Sequence, residues 1–144
     1  MNKLILCEGA TDAILLSYYL ERTAGWKFVR QPPQGVSIRA TEQNEEVTWY
    51  KKNNDYLLIC AVGGKDNFGK FFDDKIQKPL VMSDAFEKIA IVADRDNREV
   101  SEIETEASAF LKVPCGTIKN NQWNDCSYTN EFRMEKTFSA LLVV

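Results

Sequence analysis

Three short runs of consecutive apolar residues mark the first two thirds of the sequence: Leu4–Cys7, Leu57–Val62 and Ile89–Ala93. Runs of this length without polar interruption are typical of β-strands that are covered on both faces of a sheet. The segments that follow them carry apolar residues at helical spacing: Ala13 to Leu20, Phe68 to Ile76 and Val100 to Leu111. Three strand–helix units in succession predict an α/β fold with a mainly parallel central sheet and helices on both faces.

The first and third predicted helices differ in the arrangement of their apolar residues. Between Ala13 and Leu20 these residues lie almost all round the helix, so we expect it to be buried on more than one side, with Thr11 as its N-cap. The third helix has a single apolar stripe, and Ser101 with Glu104 can form a capping box at its start. Pro114 is expected to end it.

Residues 26–54 interrupt the strand–helix alternation. Proline and glycine break the chain there, and short alternating stretches follow at Val36–Ile38 and Val47–Tyr50. Asn53-Asn54 then separates two strand-like segments, and Asn tolerates the positive φ that a tight hairpin turn needs. We therefore predict an inserted antiparallel β piece at the edge of the sheet.

The C-terminal part of the sequence is less regular. Residues 115–135 are polar and predict irregular structure, with Trp123 and Tyr128 as isolated anchors, while Thr137 to Val144 predicts a last strand. The chain finishes inside this apolar run, which would normally continue into a turn. Whether a C-terminal segment is missing beyond Val144 therefore stays open.

Length and composition indicate one domain, residues 1–144. A chain of 16.5 kDa with 44% hydrophobic residues can build one core and is too short for two ordinary domains. No apolar segment approaches the roughly 20 residues of a membrane span, and Glu8 comes too early for a signal peptide. The four cysteines form no CxxC pair, so we expect reduced thiols and a cytoplasmic protein. The oligomeric state is left open.

Residue usage excludes some classes of enzyme. The chain has no His, which removes hydrolases that depend on imidazole and zinc sites built on His. A net charge of −3 argues against tight duplex binding through a basic surface. A carboxylate site that binds divalent cations would also lower the pI and would offer the bound charge to a phosphate. The charge therefore leaves nucleic acid open as a partner.

Acidic residues and glycines follow directly after the three predicted strands. Glu8 follows the first strand, Gly63-Gly64 the second, and Asp94 with Asp96 the third. Ligands of parallel sheets sit at the carboxyl ends of the strands, so these three loops are expected to converge. Carboxylates brought together repel each other unless a cation lies between them, and Mg²⁺ favours such oxygen ligands.

Both acidic motifs, in order, resemble the Toprim domain: an apolar strand with Glu8-Gly9-x-x-Asp12, then an apolar strand with Asp94-x-Asp96. The resemblance spans roughly residues 3–112 and implies a Toprim/Rossmann-like fold. Toprim domains occur in topoisomerases, primases, recombination-repair proteins, ribosomal-RNA maturases and nucleases of the overcoming-lysogenization-defect kind. They act on phosphodiesters, usually with Mg²⁺.

The resemblance implies a role for each acidic residue. Glu8 would be a metal ligand or general acid/base, Asp94 and Asp96 metal ligands that take part in catalysis, and Asp12 a further acidic metal-binding position. The cofactor would be Mg²⁺ or Mn²⁺. For Asp12 and Glu8 the simpler alternative is a carboxylate that stabilises a helix N-terminus.

Basic residues and glycines beside the acidic motifs are candidate phosphate or nucleic-acid contacts. Gly63, Gly64 and Lys65 could cradle a phosphate, although a plain strand-to-helix turn explains them equally well. Arg95 could steer a phosphate backbone, or pair with Glu99 or Glu102 instead.

Two functions from different classes fit the sequence best. The first is a Mg²⁺-dependent nuclease, or a related nucleic-acid-processing Toprim protein, that cleaves phosphodiesters of DNA or RNA. The second is a non-catalytic Toprim-like module that binds nucleic acid or protein, which the acidic pI and the lack of a glycine soon after Asp96 favour. A phosphoacceptor receiver is a weaker third, because receivers usually carry the paired acids after the first strand.

Overall fold

The structure, a computed structural model, describes residues 2–82, 85–111, 118–129 and 132–144. Its strands are β1 (Asn2–Cys7), β2 (Lys27–Val29), β3 (Glu46–Lys52), β4 (Asp55–Ala61), β5 (Lys88–Val92), β6 (Trp123–Thr129) and β7 (Glu135–Val143). Its longer helices are α1 (Ala10–Ala24) and α4 (Val100–Leu111). Between β4 and β5 lies a segmented helix: a 3-10 turn (Lys65–Asn67), α2 (Phe68–Phe71), a π-helical turn (Phe72–Ile76) and α3 (Gln77–Met82).

All seven strands form one sheet in the order β2-β3-β4-β1-β5-β7-β6. The four central strands β4, β1, β5 and β7 are parallel, and antiparallel strands complete both edges. The α/β class is therefore confirmed. The hairpin predicted at Asn53-Asn54 joins β3 to β4, and Asn53 adopts the expected left-handed φ of 55°.

The core is divided by the sheet into two unequal clusters. The larger one lies between the sheet and the segmented helix with α4, and it includes Leu6, Leu58, Phe72, Ile91 and Ile103. The smaller one lies under α1. Continuous apolar strands give side chains to both clusters because successive residues point to opposite faces. Helices therefore cover both faces, as predicted, but not to the same extent.

The start and the burial of α1 differ from the prediction. Gly9, not Thr11, is the N-cap, and Thr11 lies inside the first turn. Only Ala13 is fully buried, whereas Leu15 and Tyr19 are 63% and 64% exposed. The helix rests on the sheet by one side, and among the described residues no second layer covers its other side.

The region predicted to be irregular contains a strand. β6 spans Trp123–Thr129 and pairs antiparallel with β7. Strand β7 confirms the predicted last strand. The polar composition of β6 hid it, because an edge strand with one open face needs few apolar residues. Cys126 faces the larger core cluster, while Trp123 is half exposed and is not the buried anchor expected.

Two smaller predictions also change. Val36–Ile38 is not a strand, although Val36 and Ile38 are both buried in the larger cluster. Helix α4 begins at Val100, so Ser101 lies inside the helix and no capping box starts there. The predicted end at Pro114 lies outside the described residues.

Two features bear on the compartment. Cys7, Cys60 and Cys126 are free thiols. None of the helices in the described part of the chain is long and apolar enough to cross a membrane.

Candidate functional site

Glu8 lies where the ends of β1 and β4 are joined by backbone hydrogen bonds. The carbonyl oxygen of Glu8 accepts from the amides of Gly63 and Gly64, each at 3.0 Å. Both glycines have positive φ, 87° and 137°, which side chains rarely adopt. Because both amides already donate to Glu8, they fix the loop of Glu8, and this use favours the turn interpretation over a phosphate cradle.

The carboxyl group of Glu8 faces that of Asp94, which follows β5. Burial, followed by a hydrogen bond shared with the Asp94 carboxyl and by its negative charge, raises the pKa of Glu8 to about 7. The buried Glu8 Oε1 has no hydrogen-bond partner. A hydrogen bond from the Asp94 backbone acts to lower the pKa of Glu8 but does not offset these effects. Two adjacent carboxyl groups are stabilised by sharing a proton or a cation. The convergence expected from the strand ends is therefore present for Glu8 and Asp94.

Asp96 lies at the margin of this pair. Its charge contributes to the raised pKa of Glu8, and its Oδ2 is 3.8 Å from Lys65 Nζ in a solvent-exposed ion pair. Asp96 has a φ of 51°, a left-handed conformation that Asp accepts more readily than most residues. This φ shows that the backbone turns at Asp96 itself, although no glycine is present there.

Asp12 has a local role that the geometry makes visible. Its Oδ2 accepts a hydrogen bond of 3.3 Å from the amide of Gly9, the N-cap of α1. The carboxylate thus satisfies a free amide at the helix N-terminus, which is the alternative considered for it. Its role as a metal ligand stays a prediction.

The arginines beside the aspartates are engaged within their own loop and with helix α4. Arg95 Nε donates to the carbonyl of Arg98 at 3.0 Å, and its guanidinium lies 3.6 Å from Glu99. Arg98 donates to Glu106 at 2.7 Å. The pairing of Arg95 with Glu99 is therefore present, and a phosphate contact by Arg95 stays a prediction.

An open, mostly polar cavity of about 750 Å³ brings these loops together. Glu8, Asp12, Asp94 and the Gly63-Gly64 turn line one part of it, and the loop of Asn44, Glu45 and Glu46 lines another. Acidic side chains therefore dominate its wall. A cavity of this character suits a cation or a cation-bound ligand better than a bare anion.

The loop opposite the carboxyl pair is held by an ion pair that the sequence did not reveal. Glu45 Oε1 accepts from Lys75 Nζ at 2.6 Å, and the two side chains are only 7% and 12% exposed. Lys75 also donates to the Arg39 carbonyl and to Thr41 Oγ1. Two residues 30 positions apart leave no periodic signal, so only the fold could show this contact.

The donor set was considered against Mg²⁺, the ion that the Toprim resemblance implies. Among the described residues, no three His, Cys, Asp or Glu side chains are grouped so as to hold a metal ion. Mg²⁺ usually takes only one or two protein carboxylates and completes its shell with water and phosphate. Glu8 and Asp94, with an unsatisfied oxygen between them, fit one such ion.

Comparison with known proteins adds information on the fold only. No protein family matches the sequence, and no curated protein matches it. A solved structure of a hypothetical protein, PH0156 from Pyrococcus horikoshii OT3, is similar with a TM-score of 0.63 and 19% sequence identity. The match covers 97% of this chain and 54% of the archaeal chain. This chain thus spans about half the length of that protein and shares the fold of the matched part.

Proposed function

We propose that this protein is a Mg²⁺-dependent, phosphodiester-cleaving nuclease or a related nucleic-acid-processing protein with a Toprim-like fold. One observation carries the proposal: the carboxyl groups of Glu8 and Asp94 meet at the carboxyl ends of adjacent parallel strands, with no donor for Glu8 Oε1. This is the place where parallel α/β sheets bind ligands. A cation between the two groups would remove their repulsion.

Each residue of the site has a definite part in this proposal. Asp94 and Glu8 would hold the ion, with Asp96 as the third acidic group. The bound ion supplies charge stabilisation to the phosphate and activation to a water molecule. A Glu8 pKa of about 7 suits proton transfer near neutral pH when the carboxyl is not occupied as a ligand. Lys65, beside Asp96, is the nearest candidate for contact with a phosphate.

The test is cleavage of single-stranded and duplex DNA and RNA with Mg²⁺ or Mn²⁺. Glu8→Gln and Asp94→Asn keep the shape of each side chain and remove its charge. We expect metal-dependent cleavage by the wild type and a loss of at least ~100-fold in both variants. Glu102→Gln removes an exposed carboxylate from α4 and serves as the matched control, with activity unchanged.

A second candidate is a non-catalytic Toprim-like module that binds nucleic acid or protein. The net charge of −3, and the engagement of Asp12 with Gly9 and of Asp96 with Lys65, favour it. Thermal unfolding separates the candidates. A Mg²⁺-induced rise in melting temperature that Glu8→Gln removes supports the metal site. No cleavage of any substrate together with no such rise would favour the module.

A further inference from the structure

Three neighbouring strands leave the α1 side of the sheet open. On β5, β7 and β6 the apolar side chains that point to this side are only partly buried or exposed: Ala90, Val92, Leu141, Val143 and Trp123. Polar and charged side chains share this side: Lys88, Asp125, Ser127, Thr129, Glu135, Thr137 and Ser139. Helix α1 packs over β4 and β1, and the other described helices pack on the opposite face. Within the described residues, half of one sheet face is therefore uncovered.

Helix α1 forms one wall of this open half-face. Leu20 of α1 and Trp123 of β6 border a mainly apolar groove of about 270 Å³, with Ile5 and Ala90 in its floor. Tyr19 is adjacent to Leu20 on the helix and is 64% exposed. Apart from Lys3 and Lys88, which also line the groove, the surface between Leu20 and Trp123 is apolar.

The exposed apolar area of this surface is in the range of functional patches on proteins. If a fully exposed aromatic side chain offers roughly 200 Å², Tyr19 and Trp123 together expose about 230 Å². Leu15 and the partly buried sheet residues add to it. The total is of the order of the largest apolar patch on a typical monomer, about 300–600 Å², and patches of that size are often functional.

Two charges on the open half-face, those of Lys88 and Asp125, favour a second copy of the chain as the partner, and Glu135 lies on the same face at the exposed start of β7, at the rim of the proposed contact. Lys88 on β5 and Asp125 on β6 are both in register with Ser139 on β7, so they flank it on the same face of the sheet. A two-fold axis parallel to β7, midway between two copies, places β5 of one copy over β6 of the other. Lys88 then faces Asp125 of the second copy, twice by symmetry.

The layer thickness fits the same arrangement. Two sheets packed face to face are about 10 Å apart, and a helix with its side chains is about 10–12 Å wide. The edge strand β6 of the second copy would therefore lie at the height of α1 and beside it. The exposed apolar side of α1, including Tyr19, gains a partner in this way.

We propose that this open half-face, formed by β5, β7 and β6 beside α1, is the interface of a two-fold symmetric dimer of this chain. The dimer stands apart from the proposed catalysis, since Glu8 and Asp94 lie at the strand ends and not in this face. Sedimentation equilibrium tests it directly. We expect the measured mass to reach twice 16.5 kDa as the protein concentration is raised to roughly 200 µM.

Trp123→Lys replaces the largest exposed side chain of the face with a charge and is expected to give a monomer. Phe28→Lys makes the same change at a half-exposed aromatic on β2, the far edge of the sheet, and should leave the dimer intact. A wild type that stays at 16.5 kDa throughout the concentration range would overturn the proposal. So would a dimer that Phe28→Lys dissociates and Trp123→Lys does not.

A charge exchange tests the symmetry itself and leaves the Trp123 side chain in place, although Lys88 Nζ also lies 5.3 Å from the centre of the Trp123 ring in the same chain. Lys88→Asp and Asp125→Lys should each raise the dissociation constant at least about tenfold, and the double variant should recover most of that loss. Within one chain the two positions are two strand spacings, roughly 10 Å, apart, where salt screens most of their interaction. Additive losses in the double variant would contradict the proposed axis.

Discussion

Glu8 and Glu45 line the same cavity, yet their surroundings are opposite. Burial acts to raise the pKa of Glu45, but the hydrogen bond from Lys75 and those from the amides of Glu42 and Thr41 leave it below its ordinary value. Burial also raises the pKa of Glu8, and there a carboxyl neighbour in place of an ammonium group adds to the effect, so the pKa rises to about 7. One glutamate is stabilised as an anion by the protein, and the other is not.

This difference separates a structural carboxylate from one that is available to a ligand. The cation that Glu45 needs is built into the fold as Lys75, so an external ion would have little to add. The cation that Glu8 and Asp94 lack has to come from outside, or a proton has to replace it. On one side of the cavity the carboxylate of Glu45 is therefore already paired with Lys75. On the other side the carboxyl groups of Glu8 and Asp94 can still bind a ligand.

The largest expected effect comes from removing the internal cation. Lys75→Met leaves the Glu45 carboxylate buried without its partner, which typically costs about 3–5 kcal/mol of unfolding free energy. Urea unfolding measures it. Lys70→Met, an exposed lysine of α2, should change stability by less than ~0.5 kcal/mol. A loss below about 1 kcal/mol in Lys75→Met would mean that Glu45 is not stabilised in the way described.

The sequence predicted the convergence of Glu8 and Asp94 but not the ion pair opposite them. The convergence follows from local information, because each residue directly follows an apolar strand and parallel strands end at one edge. Glu45 and Lys75 lie in a loop and in a π-helical turn, and only tertiary packing brings them together. Charge and spacing alone could not distinguish Glu45 from the exposed glutamates near it.

The same reasoning explains the errors in the fold. An apolar residue pattern shows which side chains avoid water but not what covers them, so α1 was predicted to be buried on more than one side although Tyr19 is exposed. β6 was missed for the converse reason. Its polar residues face an open side of the sheet, and pairing with β7 supplies the backbone hydrogen bonds that its composition does not suggest.

A smaller effect on stability is expected at Asp12. Its carboxylate accepts a hydrogen bond from a backbone amide, whereas that of Glu45 also accepts one from a lysine side chain. Asp12→Ala removes the bond to Gly9 and should cost about 1 kcal/mol of unfolding free energy. If Asp12 only caps α1, the Mg²⁺-induced rise in melting temperature remains in this variant. Loss of that rise, with Asp12→Asn behaving like Asp12→Ala, would instead place Asp12 among the metal ligands.

The smallest effect should appear in the pH dependence of stability without divalent ions. The pKa of Glu8 is higher in the folded state than its ordinary value of 4.5, so its contribution is favourable below that value and is lost as the pH rises through about 7. Glu45 acts in the opposite direction: its contribution is present above its ordinary pKa and is lost only in acid. Between pH 5 and 8 the change therefore comes from Glu8 and, after solvent screening, should be under ~1 kcal/mol.

Glu8→Gln should match the wild type near pH 5 and become the more stable protein by pH 8 in EDTA. Equal stability of the two proteins at both pH values would show that Glu8 and Asp94 do not repel each other, and the argument for a cation between them would lose its basis.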